Sequence, residues 1–266
     1  MYDIYLRLPF QSSFHLHTDS DELVHSLSLR YGRYVGPSAE YECDFYVSAT
    51  KHGDAFRLSS ENSTVISNTP LLDIDRFMFD KTVYDSKVLA LHGAAVEWNG
   101  GCHIFLAATT SGKTTLTSYL TSRGFGYLTD DCILIDREKL CVYPCSTPIQ
   151  LRDGGTAVLR SYGALPDTLE LLDEPPTLKR FVYTPQACAD QSLPLKSIYF
   201  IKLTDGKCYV EDMSTTERMT ELLRSPITPY AINAEHLRLM SRLAKIPCKR
   251  LYYNDMDFVK ELIQNG

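Results

Sequence analysis

Apolar positions along the chain change their period near residue 68. Upstream, short β-branched and aromatic runs at Tyr2 to Leu8, Cys43 to Ser48, Ala55 to Leu58 and Thr64 to Ile66 are separated by polar turns. They predict a small β-rich domain over residues 1–68, one that supports the rest of the chain or recognises a protein or peptide substrate. His15 and His17 alternate with Phe14 and Leu16, as in a strand with one solvated face. At Thr69-Pro70 the period becomes helical through Leu71, Leu72, Phe77 and Phe79, with threonine as N-cap and proline at the first helical position. Residues 69–266 are then expected to form a second, larger domain, entered through a polar connection from Lys81 to Lys87.

The second segment opens with two apolar runs, Val88 to Val96 and Cys102 to Leu106, on either side of Asn99-Gly100. That dipeptide predicts a two-residue hairpin. A small-residue loop follows, and then a helix carrying Leu116, Tyr119 and Leu120 on one face and ending at Gly124. Gly126 to Thr129 and Cys132 to Ile135 are short apolar runs separated by Asp130-Asp131. Pro144 to Leu151 and Gly154 to Pro176 are rich in proline and glycine and read as loops. Leu195 to Leu203 is almost continuously apolar, as in a strand covered on both faces. Ser214 to Glu217 is a capping box for a helix bearing Met219, Leu222 and Leu223. Asn233 caps another, with Leu237, Met240 and Ala244 expected inward. Leu251 to Tyr253 and Asp255 to Ile263 read as a last strand and helix.

Composition narrows the function classes. The 266 residues are 44% hydrophobic, enough for a sizeable core, and carry a net charge of −6 without a basic cluster, which argues against nucleic acid. No apolar run approaches 18 residues and no signal peptide is visible, so no membrane role is expected and the location is expected to be cytoplasmic. The eight cysteines are scattered. The one close pair, Cys141 and Cys145, lacks the partners of a zinc site, so thiols are expected.

Candidate chemistry is concentrated between Leu91 and Asp136. Ala107-Ala108-Thr109-Thr110-Ser111-Gly112-Lys113-Thr114 lies between an apolar strand and an amphipathic helix, the setting of a phosphate loop. In such a loop, backbone N–H groups from Ala108 to Thr115 and a helix N-terminus meet phosphates, Lys113 reaches the β and γ oxygens, and the Thr114 hydroxyl ligates Mg²⁺. Ala107 stands where the pattern has its first glycine, so a positive φ there would carry the penalty of a Cβ. The alternative is a Ser/Thr-rich turn in which Gly112 serves a bend and Lys113 is solvated. Asp130 and Asp131, if both on a strand, would point to opposite faces. Sharing one task would also cost about 4 kcal/mol of repulsion at about 4 Å and an effective dielectric of 20. One is therefore expected on the metal and the other on an acceptor's proton; a solvated turn is the alternative. His92 lies on the strand beside the loop's own, as a site residue or a hydrogen-bonded core histidine. Arg152, Lys179 and Arg180 are candidate cations for the transferred phosphate, with Arg152 preferred.

The His92-Gly93 dipeptide, the Gly112-Lys113-Thr114 loop and the Asp130-Asp131 pair occur in this order, with 21 residues from His92 to Lys113 and 17 from Lys113 to Asp130. This stretch resembles the catalytic core of the HPr kinase/phosphorylase family, whose P-loop fold is shared with PEP carboxykinase. The resemblance spans about 45 of 266 residues. It implies an α+β chain whose second domain has that P-loop α/β fold, using ATP and Mg²⁺. Within it, His92 matches the active-site histidine, Lys113 the phosphate-binding lysine, Thr114 the metal-binding hydroxyl, Asp130 the base and Asp131 the metal-binding carboxylate. The glycine-rich segment that follows the aspartates in the family is not visible in Cys141 to Gly155, so the resemblance does not extend to phosphorylase activity or to HPr as the substrate, and both stay open. The chain is more similar to shorter relatives that look like peptide-tailoring kinases, including those acting on C-terminal serines of lasso-peptide precursors, and Met1-Tyr2-Asp3-Ile4-Tyr5 resembles their opening.

The resemblance thus implies a kinase transferring the γ-phosphoryl group of ATP to a serine hydroxyl of a small protein or ribosomal precursor peptide. A small-molecule kinase of the same fold, and a nucleotide-binding regulatory or scaffold protein with little turnover, are the alternatives. Homo-oligomerisation is left open.

Overall fold

The computed structural model describes residues 1–8, 12–36, 43–60, 63–84, 88–174, 178–227 and 233–266. The end of the Lys81 to Lys87 connection, the prolines at 175 and 176, and the side chain of Lys179 lie outside the described residues. Packing divides the chain into two compact units, Met1–Ser86 with Leu171–Val182, and Lys87–Glu170 with Tyr183–Gly266.

The first unit contains β1 (Tyr2–Arg7), β2 (Ser13–Thr18), α1 (Asp21–Tyr31), β3 (Phe45–His52), β4 (Ala55–Ser60), β5 (Ser63–Ser67) and α2 (Pro70–Tyr84). These five strands, β1 to β5, lie in sequence order in one sheet, with β2 and β3 parallel and the other neighbours antiparallel. Leu23, Leu27 and Tyr31 of α1 and Leu71, Ile74 and Met78 of α2 are buried with Leu6, Phe14, Leu16 and Val47 of the sheet. Packing therefore divides the chain later than the change of period at residue 68 does, because α2 buries its apolar stripe in the first unit. Leu72, expected on that stripe, is 48% exposed. Helix α1 stands where only strands and turns were expected; the Ser20 side chain caps it by accepting from Leu23 N.

The second unit begins with β6 (Val88–Trp98), β7 (Gly101–Leu106), α3 (Lys113–Ser122), β8 (Gly126–Thr129), β9 (Cys132–Asp136), β10 (Cys141–Tyr143), β11 (Ile149–Leu151) and α4 (Asp153–Ser161). Two strands, β12 (Glu170–Glu174) and β13 (Leu178–Tyr183), belong for most of their length to the first unit. The second unit resumes with β14 (Leu193–Leu203), β15 (Tyr209–Asp212), α5 (Thr215–Leu223), α6 (Ala234–Leu243), β16 (Cys248–Tyr253) and α7 (Met256–Asn265). Among the described residues its sheet has the order β10-β9-β6-β7-β14-β16-β15, with β8 also paired to β6. The central strands β7, β14 and β16 are parallel, and β6 runs antiparallel to β7. In the middle of the sheet between β7 and β16, Ser197 to Ile201 of β14 are buried in succession, as in a strand covered on both faces, which matches the apolar run over this stretch.

The chain is α+β, with a β-rich N-terminal unit. Asn99 (φ 48°) and Gly100 (φ 70°) are both left-handed, so the β6–β7 hairpin turns as expected for this dipeptide. Ser214 and Glu217 form the expected capping box on α5, and Asn233 caps α6. The inward stripe of α6 is His236, Leu239, Met240 and Leu243, whereas Leu237 is 45% exposed. Part of Gly154 to Pro176 is regular rather than loop: α4 starts there despite Gly154 and Gly155 in its first turn, because Thr156 and Leu159 anchor it in the core. None of the cysteines forms a disulfide. No helix among the described residues is long and apolar enough to cross a membrane.

Candidate functional site

Strand β7 ends at Leu106 and the chain turns through Ala107 to Gly112 into α3. Ala107 does not adopt a positive φ; the left-handed residues of the loop are Thr110 (φ 68°) and Gly112 (φ 85°). The Cβ penalty expected at Ala107 therefore does not arise. Gly112 has a second reason to be glycine, since a Cβ there would lie 2.9 Å from the Tyr253 hydroxyl at the end of β16. Lys113 is buried and folds back, its ammonium donating to the carbonyls of Ala107 at 2.9 Å and Ala108 at 3.1 Å. Ser111 Oγ also donates to Ala108 O, at 2.7 Å. With these carbonyls turned inward, the backbone N–H groups of Thr109, Thr110, Ser111, Gly112 and Lys113 find no acceptor among the described residues. That is a row of donors at a helix N-terminus, the arrangement that receives phosphate oxygens. Thr114 and Thr115 are half-buried in the first turn.

The two aspartates sit at a break rather than on a strand. Strands β8 and β9 both pair antiparallel with β6, one with its far half and one with its near half, and the β6 register shifts between Ala95 and Val96. The chain passes from β8 to β9 through Asp130-Asp131, with Asp131 left-handed at φ 71°. The expected alternation of a strand is therefore replaced by a kink that separates the carboxylates: Asp130 is buried and Asp131 is exposed. Non-glycine residues tolerate this conformation at a cost, and such strain clusters at functional sites. Burial, reinforced by the Asp131 charge, pushes the Asp130 carboxyl up to about 7 against the pull of the Thr114 hydroxyl and the Lys113 ammonium. Its Oδ1 is buried with no hydrogen-bond partner among the described residues. In turn, burial lowers the Lys113 ammonium while Asp131 and Asp130 raise it. The loop lysine and the two carboxylates thus share one electrostatic environment.

His92 reaches the same kink from β6. Its Nδ1 donates to the Asp131 carbonyl at 3.2 Å, and its backbone N–H to Ser225 O at 2.7 Å. The following residue must be small, because a Cβ on Gly93 would come within 2.5 Å of Phe105 O and 2.7 Å of Ile133 Cδ1. The His-Gly dipeptide is thereby explained by packing as well as by position.

The structure brings together His92, the 108–115 loop, Asp130 and Asp131. Arg152 is exposed at the N-cap of α4, whose first turn abuts α3: a Cβ on Gly155 would lie 3.0 Å from Thr115 Oγ1. Arg180 packs in the first unit. Two residues near the site carried no sequence signal. Tyr253 is buried against Gly112, and burial pushes its phenol above the usual tyrosine range. Tyr183, raised chiefly by burial, also feels the Asp130 charge.

The donors available for a metal are hard oxygens, namely the Asp131 carboxylate, the orphaned Asp130 Oδ1 and the Thr114 hydroxyl. No group of three or more His, Cys, Asp or Glu side chains able to hold a metal occurs among the described residues. One or two carboxylates completed by phosphate and water suit Mg²⁺ and do not suit zinc.

No protein-family model and no curated protein sequence matches the chain. Among solved structures, the Hpr(Ser) kinase/phosphatase from Coxiella burnetii is similar, with a TM-score of 0.34 and 9% identity over 66% of this chain and 94% of that one.

Proposed function

We propose that the second unit is a phosphotransferase that moves the γ-phosphoryl group of ATP to a serine hydroxyl, carried by a small protein or a ribosomal precursor peptide of the lasso type. The observation that carries this reading is Asp130: a buried carboxyl pushed up to about 7, with an oxygen that has no partner among the described residues, held beside Thr114 and Lys113 at the end of a loop whose N–H groups from Thr109 to Lys113 find no acceptor among them. A group at that pKa takes a proton from an acceptor at neutral pH and is not already saturated with its own.

In this reading the N–H groups from Thr109 to Lys113 bind the phosphates, and Lys113 exchanges its two carbonyl partners for β and γ oxygens. Asp131 and Thr114 would hold Mg²⁺, with Asp130 Oδ1 beside them; the bound ion would neutralise charge developing on the phosphoryl oxygens. Asp130 receives the acceptor proton. His92, fixed through Nδ1, directs Nε2 away from the Asp131 carbonyl, and in the neutral ring that nitrogen accepts from the acceptor hydroxyl. Ala107, which has no positive φ, presents no backbone obstacle to phosphate binding in this reading. The serine and peptide assignment rests on the resemblance of the His-Gly, Gly-Lys-Thr and Asp-Asp pattern.

The test is incubation of the full chain with γ-labelled ATP and Mg²⁺, with serine-containing peptides in one series and small alcohols or sugars in another. Label on peptide serine is the expected result. Label on the small molecules alone would make the chain a small-molecule kinase, and nucleotide binding without transfer in either series would make it a binding protein.

A further inference from the structure

The outer strands of a sheet expose unpaired N–H and C=O groups, which natural proteins cap, charge or cover. In the first unit β1 is capped: Gly36 donates to Tyr5 O at 2.9 Å, and Val35 bridges Leu6. At the opposite edge β5 pairs only with β4 among the described residues. Its sequence, Ser-Thr-Val-Ile-Ser, has no charge and no proline; Val65 is 51% and Ile66 56% exposed. No described residue bonds to the backbone of β5 on the side away from β4.

Beside this edge lies a groove of about 540 Å³ between β5 and α2. Its floor is apolar, since Val65 pairs with Leu58 across the sheet and shares that residue's core-facing side. Ile74 and Phe77 of α2 form the wall. Asp73, Arg76 and Asp80 line the same groove, and with Phe77 they recur at the spacing of one helix face. Two of the three charges are acidic. Open backbone groups select an extended chain over a helix, the apolar floor selects a hydrophobic side chain, and the acidic excess selects a basic one.

We propose that this groove docks an extended peptide as a sixth strand on β5, with an apolar side chain against Val65, Ile74 and Phe77 and a Lys or Arg toward Asp73 and Asp80. The docked segment would be the recognition part of the phosphoacceptor, so its purpose rests on the kinase reading while its binding does not.

The experiment is selection of displayed random peptides of roughly ten residues on the full chain without nucleotide. The selected sequences, fluorescein-labelled, are then titrated by anisotropy. Enriched peptides should place apolar residues two apart with a flanking Lys or Arg. Val65→Lys should weaken them at least about tenfold. Asp80→Lys should weaken them as well and recover affinity when the peptide's basic residue is changed to Glu. Lys113→Met should bind them like wild type, which separates failure of docking from failure of phosphoryl transfer. No enrichment over a blank surface, or affinities indifferent to both groove substitutions, would overturn the proposal. So would a chain that sediments as a dimer which Val65→Lys splits, because the occupant of the edge would then be a second copy.

Discussion

His92 donates its Nδ1–H to the main-chain carbonyl of Asp131 at 3.2 Å. A side chain on β6 is thereby tied to the one left-handed residue between β8 and β9, so ring orientation and the geometry of the kink are coupled. Because a carbonyl only accepts, the bond also fixes the proton on Nδ1 when the ring is neutral.

His92→Ala is expected to cut phosphoryl transfer by about 100-fold while lowering stability by no more than about 1.5 kcal/mol, the worth of one partly exposed hydrogen bond. Single-turnover transfer and denaturant unfolding measure the two effects. A loss of several kcal/mol with activity intact per folded molecule would make His92 a core histidine only.

Asp130→Asn is expected to abolish transfer and leave affinity for Mg·ATP within about threefold, because an amide fits the site and cannot take the proton. In the wild-type chain kcat/KM should rise through pH of about 7 and level off above it, following the raised carboxyl. A pH-independent rate across that range would remove Asp130 as the base.

The same burial gives Asp130 a stability signature. Its folded pKa lies above the ordinary 3.8, so the folded chain holds this proton more tightly than the unfolded chain, and its contribution to stability declines as pH rises from about 4 to about 7. Asp130→Asn should therefore melt above wild type at about pH 8 and level with it near pH 4. Parallel melting curves at both pH values would mean that the carboxyl is not held protonated by burial.

Asp131→Asn keeps a residue type that accepts the left-handed conformation, so it changes the charge without disturbing the kink. Weaker nucleotide binding that excess Mg²⁺ partly restores is the expected result, read by calorimetry at two magnesium concentrations. Identical profiles for Asp130→Asn and Asp131→Asn would mean that the carboxylates act as one unit and that their separation by exposure has no chemical meaning.

Ala107→Gly is expected to leave turnover within about twofold, since Ala107 has no positive φ for glycine to relieve. A large gain in rate would show that the loop passes through a left-handed state at residue 107 during turnover.

What sequence alone revealed was mostly local. The loop could be placed because strand, small residues, Gly-Lys-Thr and an amphipathic helix are consecutive, and the β6–β7 hairpin because Asn99-Gly100 encodes its own turn. The kink at Asp131 could not, because it depends on β8 and β9 sharing β6 as a partner with a shifted register. Helix α1 was hidden by its charged surface residues, though Ser20 and the spacing of Leu23, Leu27 and Tyr31 mark it. Leu237 looked inward because it is apolar, yet the buried stripe of α6 runs through His236 and Leu239. Tyr253 meets Gly112 only because β7, β14 and β16 lie side by side in the sheet.

The central claim is that the 108–115 loop binds nucleotide phosphates through its N–H row and Lys113. Calorimetric titration of Mg·ATP into the wild-type chain and into Lys113→Met tests it most directly. Wild type should bind with a saturable heat, and the variant, with its fold retained by circular dichroism, should bind at least about tenfold more weakly, a loss of about 1.4 kcal/mol or more. A wild-type chain that takes up no Mg·ATP, or a folded Lys113→Met variant that binds it equally well, would contradict the account.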